Sequence, residues 1–184
     1  MFNLEKPRIE VQNIVAFVDL KTELDLERLA FELPDSEYDP DRFPALIVKF
    51  KQPKISFLVF RNGKMNCTGA DHISKIEEGV AKLVKMLRSL GIDIKKDPKI
   101  TVTNVVATVD LGLTMNLDEI ALNIENVEYE PEQFPGLVYK PYESTVSVLI
   151  FGTGKLVVAG LRDASEARGV VDGLLERLRE AGLV

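Results

Sequence analysis

Between residues 9 and 20 the chain alternates: Ile14, Ala16 and Val18 fall on one side, Val11, Asn13, Val15 and Phe17 on the other, which is the period of a strand with two largely apolar faces. The period then changes. Leu26, Leu29, Ala30 and Leu33 recur at helical spacing, and Pro34 stops that short helix. After a loop with Tyr38, Pro40, Phe43 and Pro44, three more strands are predicted over residues 45–51, 55–60 and 64–68, turning at Gln52-Pro53 and at Asn62-Gly63 as an antiparallel meander. A long helix closes the pattern. Ser74 and Glu77 have capping-box spacing, Ile73, Ile76, Val80, Leu83, Val84, Leu87 and Leu90 form one apolar face, and Gly91 ends it. Residues 1–8 show no period and read as a lead-in.

Ninety-one positions later the same pattern returns. Of the 84 residues from Ile9 to Ile92, 29 are identical to their counterparts from Ile100 to Leu183 without a gap, where average composition gives roughly one in fifteen. The chain is a tandem duplication, read as a first repeat over residues 1–92 and a second over residues 93–184, with the polar stretch 93–99 as linker. The second long helix is predicted to start at Asp163 with Glu166 in capping spacing, to bury Val170, Val171, Leu174, Leu175 and Leu178, and to stop at Gly182. Each repeat is therefore strand, helix, several strands, helix. The helices must cover one sheet face, because their apolar stripes need a partner; the other face stays open.

Composition excludes several classes of function. With 46% hydrophobic residues in 184 the chain can bury a proper core. No apolar run approaches the roughly 18 residues of a membrane span, and the first ten residues lack a signal peptide's apolar stretch, so a cytoplasmic protein without membrane contact is expected. One cysteine, Cys67, and one histidine, His72, allow no internal disulfide and no metal site of His/Cys spacing, and neither a metal nor another cofactor is expected. They also leave no obvious nucleophile-base pair, and Gly152-Thr153-Gly154-Lys155 reads as a hairpin turn rather than a phosphate loop, so no enzyme is expected.

The open face is an unusual surface. Alternation places Asn13, Val15, Ile47, Lys49, Leu58, Phe60, Lys64 and Thr68 on it, and from the second repeat Asn104, Val106, Val138 or its neighbours, Lys140, Leu149, Phe151 and Lys155. A solvent side of Val, Leu and Phe marks an interaction site, and on exposed apolar area it also suits a homodimer of the free protein. The repeat preserves Phe43-Pro44 as Phe134-Pro135, Phe60 as Phe151, Asn13 as Asn104, and Lys49 and Lys64 as Lys140 and Lys155. Mid-strand asparagines are depleted in ordinary sheets, so a repeated pair points to ligand recognition. The net charge of −6 argues against nucleic acid, but residues 42–64 carry six basic side chains and no acid, whereas residues 133–155 sum to +1. A basic rim round an apolar sheet fits a phosphate backbone whose bases or sugars press on the middle. Duplex DNA and a single strand stacked on the phenylalanines both satisfy that description; a small-molecule site would need a lid that the chain does not supply.

These motifs, QNIVAFVDL at 12–20, EYDPDRFPALIVKF at 37–50, FLVFRNGKMNCTGA at 57–70, TNVVATVDL at 103–111, EYEPEQFPGLVYK at 128–140 and LIFGTGKLVVAG at 149–160, resemble the TATA-box-binding protein family, in the short form of its archaeal members. The resemblance implies an α+β saddle of two pseudo-two-fold repeats, one curved ten-stranded antiparallel sheet with four helices on the convex side. It implies a general transcription factor that binds the DNA minor groove at the TATA promoter element, bends it, and recruits transcription factor B and RNA polymerase in the cytoplasm at the nucleoid. By the same resemblance Phe43, Phe60, Phe134 and Phe151 are intercalating wedges. Asn13, Asn104, Val15, Val106, Leu58, Leu149 and Thr68 touch bases, Lys49, Lys64, Lys140, Lys155 and Arg162 hold phosphates, and Glu130, Glu132 and Gln133 meet factor B. Departures from the family pattern are Ala159 opposite Thr68 in the repeat, Asn66 where valine is usual, Asp71 for a lysine, and Phe17 for a smaller threonine.

Overall fold

The computed structural model describes residues 7–184; the first six residues of the predicted lead-in lie outside it. By contacts the chain divides into two units, Asn13–Thr103 and a second made of residues 7–12 with Asn104–Val184. The elements follow the duplicated pattern. In the first copy they are β1 (Ile9–Asp19), α1 (Leu26–Glu32), β2 (Ser36–Glu37), β3 (Ala45–Lys51), β4 (Lys54–Phe60), β5 (Lys64–Ala70) and α2 (Ile73–Ser89). In the second they are β6 (Ile100–Asp110), α3 (Leu117–Asn123), β7 (Val127–Glu128), β8 (Leu137–Tyr139), β9 (Ser147–Ile150), β10 (Lys155–Leu161) and α4 (Glu166–Glu180). The ten strands form one sheet in the order β2-β3-β4-β5-β1-β6-β10-β9-β8-β7.

The unit Asn13–Thr103 shows why one face is closed. Ile14, Ala16, Val18, Leu46, Val48, Ile55, Phe57, Val59, Met65 and Cys67 are all buried; β4 and β5 pack on α2, whose stripe of Ile76, Val80, Leu83, Val84 and Leu87 is buried too, and β3 packs on α1. Gly79 lets that helix come close, since a Cβ there would lie 2.9 Å from Ile55 Cγ2 and 3.3 Å from Phe57 Cζ. Truncating a side chain such as Leu83, which is fully buried, would cost about 2–5 kcal/mol. The linker is pinned as well. Ile94 is buried, and its carbonyl accepts from Arg88 Nε and Nη2 at 3.0 and 2.9 Å, while Arg88 Nη1 pairs with Asp97 at 3.0 Å.

Several local readings change. The cap of α2 is His72, not Ser74: His72 is extended (φ −144, ψ 143) and its Nδ1 accepts from the Ser74 N–H at 3.1 Å. Asp163 caps a turn that precedes α4, accepting from the Ser165 N–H at 2.8 Å, and the helix proper starts at Glu166. Ala167 takes the buried place predicted for Val170, which is half-exposed. The two-residue strands β2 and β7 escape the periodicity reading because two residues show no alternation. Pairing of β3 with β4 runs from Ala45↔Phe60 to Lys51↔Lys54, but β8 pairs with β9 only from Leu137↔Ile150 to Tyr139↔Val148. Pro141 stands where the first repeat has Phe50 and cannot donate to the ladder, so β8 ends early.

Candidate nucleic-acid interface

Each unit presents the face its helices leave open, and the two repeats build it in matching register. In the first unit one row reads Ile47↔Leu58, Leu58↔Asn66, Asn66↔Phe17; in the second it reads Val138↔Leu149, Leu149↔Val157, Val157↔Thr108. All eight are half-exposed, as are Val15 and Val106. Val15, Ile47, Leu58, Val106 and Leu149 are apolar positions that alternation assigns to this face; Phe17, Asn66, Thr108 and Val157 extend it.

Asn13 and Asn104 sit beside register breaks in β1–β5 and β6–β10. At each break a glycine adopts a positive φ, +97° at Gly69 and +87° at Gly160, and turns its N–H toward the asparagine. The Gly69 N–H donates to Asn13 Oδ1 at 2.8 Å, and the Gly160 N–H donates to Asn104 Oδ1 at 2.8 Å. A carboxamide has one oxygen and one NH2, so fixing the oxygen fixes the sense of the donor. Asn13 Nδ2 also donates to Thr68 Oγ1 at 3.1 Å; Ala159 supplies no such hydroxyl to Asn104. The two glycines are site residues that composition does not reveal, although their identity across the repeat is a signal.

The phenylalanines form two edge-to-face pairs. Ring centroids are 6.2 Å apart at 64° in Phe43–Phe60 and 5.9 Å apart at 68° in Phe134–Phe151. Phe43 and Phe134 remain 42% and 41% exposed, in contrast to the fully buried Phe57. Each leading ring is held by a turn: the Arg42 and Phe43 N–H groups donate to the Asp39 carbonyl, and those of Gln133 and Phe134 to the Glu130 carbonyl, all at 2.9–3.1 Å. Under the rings lies a small residue, Ala45 or Gly136. A Cβ on Gly136 would reach within 2.7 Å of Phe134 Cε1 and 3.0 Å of Phe151 Cε1.

Charge at the rim is more balanced than a residue count suggests. Lys49, Lys64, Lys140, Lys155 and Arg162 are exposed. Lys140 pairs with Glu128 at 2.8 Å, whereas Lys49 stands 4.0 Å from Glu37. Lys64 and Lys155 lie across the ladder from Asp19 and Asp110. Asp19 is itself drawn below the usual carboxylate range by its hydrogen bonds from the Lys21 side chain and backbone. Arg61 Nη2 is engaged with both oxygens of Glu27 at 2.8 and 3.0 Å, an interaction that raises its pKa. Asp71, in place of the expected lysine, pairs with Lys75 at 2.6 Å and is lowered by that bond. Glu130, Glu132 and Gln133 are exposed on the turn that carries Phe134, with Gln133 Nε2 donating to Glu130 Oε2. Among the described residues no group of three or more His, Cys, Asp or Glu could hold a metal ion, and no helix is long and apolar enough to cross a membrane.

A duplicated sheet unit with latched amides, aromatic pairs at turn-held loop ends and a lysine rim defines a binding protein of the open-sheet class. Its relatives are specific. The family model for transcription factor TFIID, or TATA-binding protein, matches residues 8–90 and again 99–181, and the chain belongs to this family. It is 43% identical over 175 residues to the TATA-box-binding protein of Methanocaldococcus jannaschii, covering 95% of this chain and 96% of that one. The Archaeoglobus fulgidus TATA-box-binding protein is 45% identical over 179 residues, covering 96% and 98%. A solved structure titled Methanococcus jannaschii TBP superposes with a TM-score of 0.87 at 44% identity, covering 95% of this chain and 99% of that one.

Proposed function

We propose that this protein is a general transcription factor that binds an A·T-rich TATA element through the minor groove, bends it, and recruits transcription factor B and then RNA polymerase. The observation that carries the reading is the pair of latched asparagines. With Oδ1 tied to Gly69 and Gly160, Asn13 and Asn104 offer donors from an apolar floor. The minor groove of an A·T pair shows only the acceptors A N3 and T O2, which donors suit, while guanine adds an N2 amine that clashes with a floor of Val15, Val106, Leu58 and Leu149. The TATA-binding family is itself the standing example of minor-groove proteins that insert apolar wedges, and Phe43 with Phe60 and Phe134 with Phe151 are this chain's candidates. Unstacking costs a few kcal/mol per step, offset by apolar contact over the widened groove. Lys49, Lys64, Lys140, Lys155 and Arg162 then face phosphates, and Thr68 supports Asn13 at the bases.

The acidic turn suits factor B if that partner offers a basic surface. Glu130, Glu132 and Gln133 sum to −2, whereas the matching Asp39, Asp41 and Arg42 of the first repeat sum to −1, so the second repeat is the better dock. The test is fluorescence anisotropy with a TATA-like duplex, a base-shuffled duplex and the corresponding single strand over a range of salt, with Phe60→Ala and Phe151→Ala as variants. Duplex-selective binding that collapses in both variants supports the reading. Equal affinity for the single strand would refute it.

A further inference from the structure

Within the two matched rows of the floor two positions break the symmetry of polarity, Phe17 against Thr108 and Asn66 against Val157. Asn66 in β5 occupies the place that Val157 holds in β10, flanked in register by Leu58 and Phe17 as Val157 is by Leu149 and Thr108. Thr108, the polar member of the second row, already accepts a hydrogen bond from Gln12 Nε2 at 2.9 Å. Asn66 has no such engagement: among the described residues nothing hydrogen-bonds its amide, and it is half-exposed on the open face. The contrast with Asn13 is mechanical. Asn13 has its oxygen tied to a glycine N–H, so it can only donate outward; Asn66 has no such tie and can rotate to present either its NH2 or its Oδ1.

We propose that Asn66 sets base specificity by admitting a G·C pair into the half of the element read by the first repeat; this rests on the promoter reading above. Against an A·T pair the Asn66 NH2 donates to A N3 or T O2. Against G·C the same amide turns over and its Oδ1 accepts from the guanine N2 amine, the group that distinguishes the two pairs in this groove. Val157 can do neither. Beneath it the guanine amine would be stripped of water with no acceptor, a penalty on the order of tenfold in affinity or more. The chain therefore reads a strict half-site and a permissive one, although the two repeats share a fold.

The experiment is a single-pair scan. In a TATA-like duplex each A·T pair is replaced in turn by G·C and by C·G, and affinities of the full-length protein are measured by anisotropy for wild type, Asn66→Val and Val157→Asn. Asn66→Val installs the residue its repeat partner carries in the same register, and a thermal melt confirms folding. Wild type should show a position where G·C costs no more than about threefold, below the usual range for a mismatched pair. That tolerance should vanish in Asn66→Val, where G·C at the same position should cost about tenfold or more relative to that variant's own all-A·T duplex, and a second tolerant position should arise in Val157→Asn. An unchanged scan in Asn66→Val, or no tolerant position in wild type, overturns the assignment while leaving promoter binding intact. A wild-type protein that does not distinguish the TATA-like duplex from a shuffled one overturns the promoter reading itself, and this inference with it.

Discussion

Replacing each latch glycine by alanine separates two costs that usually arrive together. Both Gly69 and Gly160 have positive φ, +97° and +87°, so an alanine at either pays the left-handed penalty of about 1–2 kcal/mol. Their surroundings differ. A Cβ at Gly69 meets nothing nearer than the Ile55 Cα at 3.9 Å, an ordinary contact, whereas at Gly160 it lies 2.5 Å from the Thr145 carbonyl oxygen and 3.2 Å from Val146 Cα. These are backbone atoms, and moving them adds about 1–3 kcal/mol of overpacking. Gly69→Ala should therefore cost about 1–2 kcal/mol and Gly160→Ala about 2–5 kcal/mol, the sums of those terms. Urea unfolding followed by circular dichroism measures both. The functional consequence runs in parallel, because shifting the strand at Gly160 withdraws the N–H from Asn104 Oδ1, while Gly69→Ala leaves its own latch in place. Gly160→Ala should thus weaken TATA-duplex binding more than Gly69→Ala does. Equal destabilisation of the two variants would refute the steric argument, and equal binding would refute the role of the latch.

Gly136→Ala should be mild, moving the Phe134–Phe151 rings from 5.9 Å toward the 6.2 Å spacing that Ala45 already sustains under Phe43–Phe60, with a duplex affinity change under about threefold because flexible ring edges take up the strain; ring contacts in a crystal structure of the variant check it. In a plot of log affinity against log salt, Lys64→Ala should lower the slope by about 0.9. Lys140→Ala should lower it less, since Glu128 already neutralises that ammonium at 2.8 Å. Burial pushes the Cys67 thiol from 9.0 up to about 12, so a thiol-reactive dye at pH 8 should label it only in denaturant. The sign for stability follows: below pH 9 both states hold the proton, and above it the unfolded chain releases it first, so this contribution is lost from about pH 9 to about 12. Urea midpoints across that range measure it.

Much of this architecture is legible because each half repeats the other. Alternation in β1, β3 and β4 assigns Asn13, Ile47, Leu58 and Phe60 to one face, and the structure leaves all of them partly accessible there. What is not legible depends on pairing across the chain. The latch needs a register break, which appears only when β5 lies against β1. The Arg61–Glu27 pair joins residues 34 apart and takes one cation out of the basic meander. At α2 the residue-type rule favours Ser74, but a neutral imidazole is also an acceptor, and His72 rather than Ser74 has the extended backbone a cap requires.

The early end of β8 gives the duplicated chain unequal mechanical compliance. In the first repeat the β3–β4 ladder continues to Lys51↔Lys54, and Lys82 closes the turn by donating to the Gln52 carbonyl at 3.0 Å. In the second, Pro141 halts the ladder at Tyr139↔Val148, and Tyr142 in the following connection is 75% exposed. Backbone amides between residues 142 and 146 should exchange with solvent far sooner than those of β3 and β4, because local opening there breaks few ladder bonds. The connection after β8 is thus where the second repeat opens at least cost.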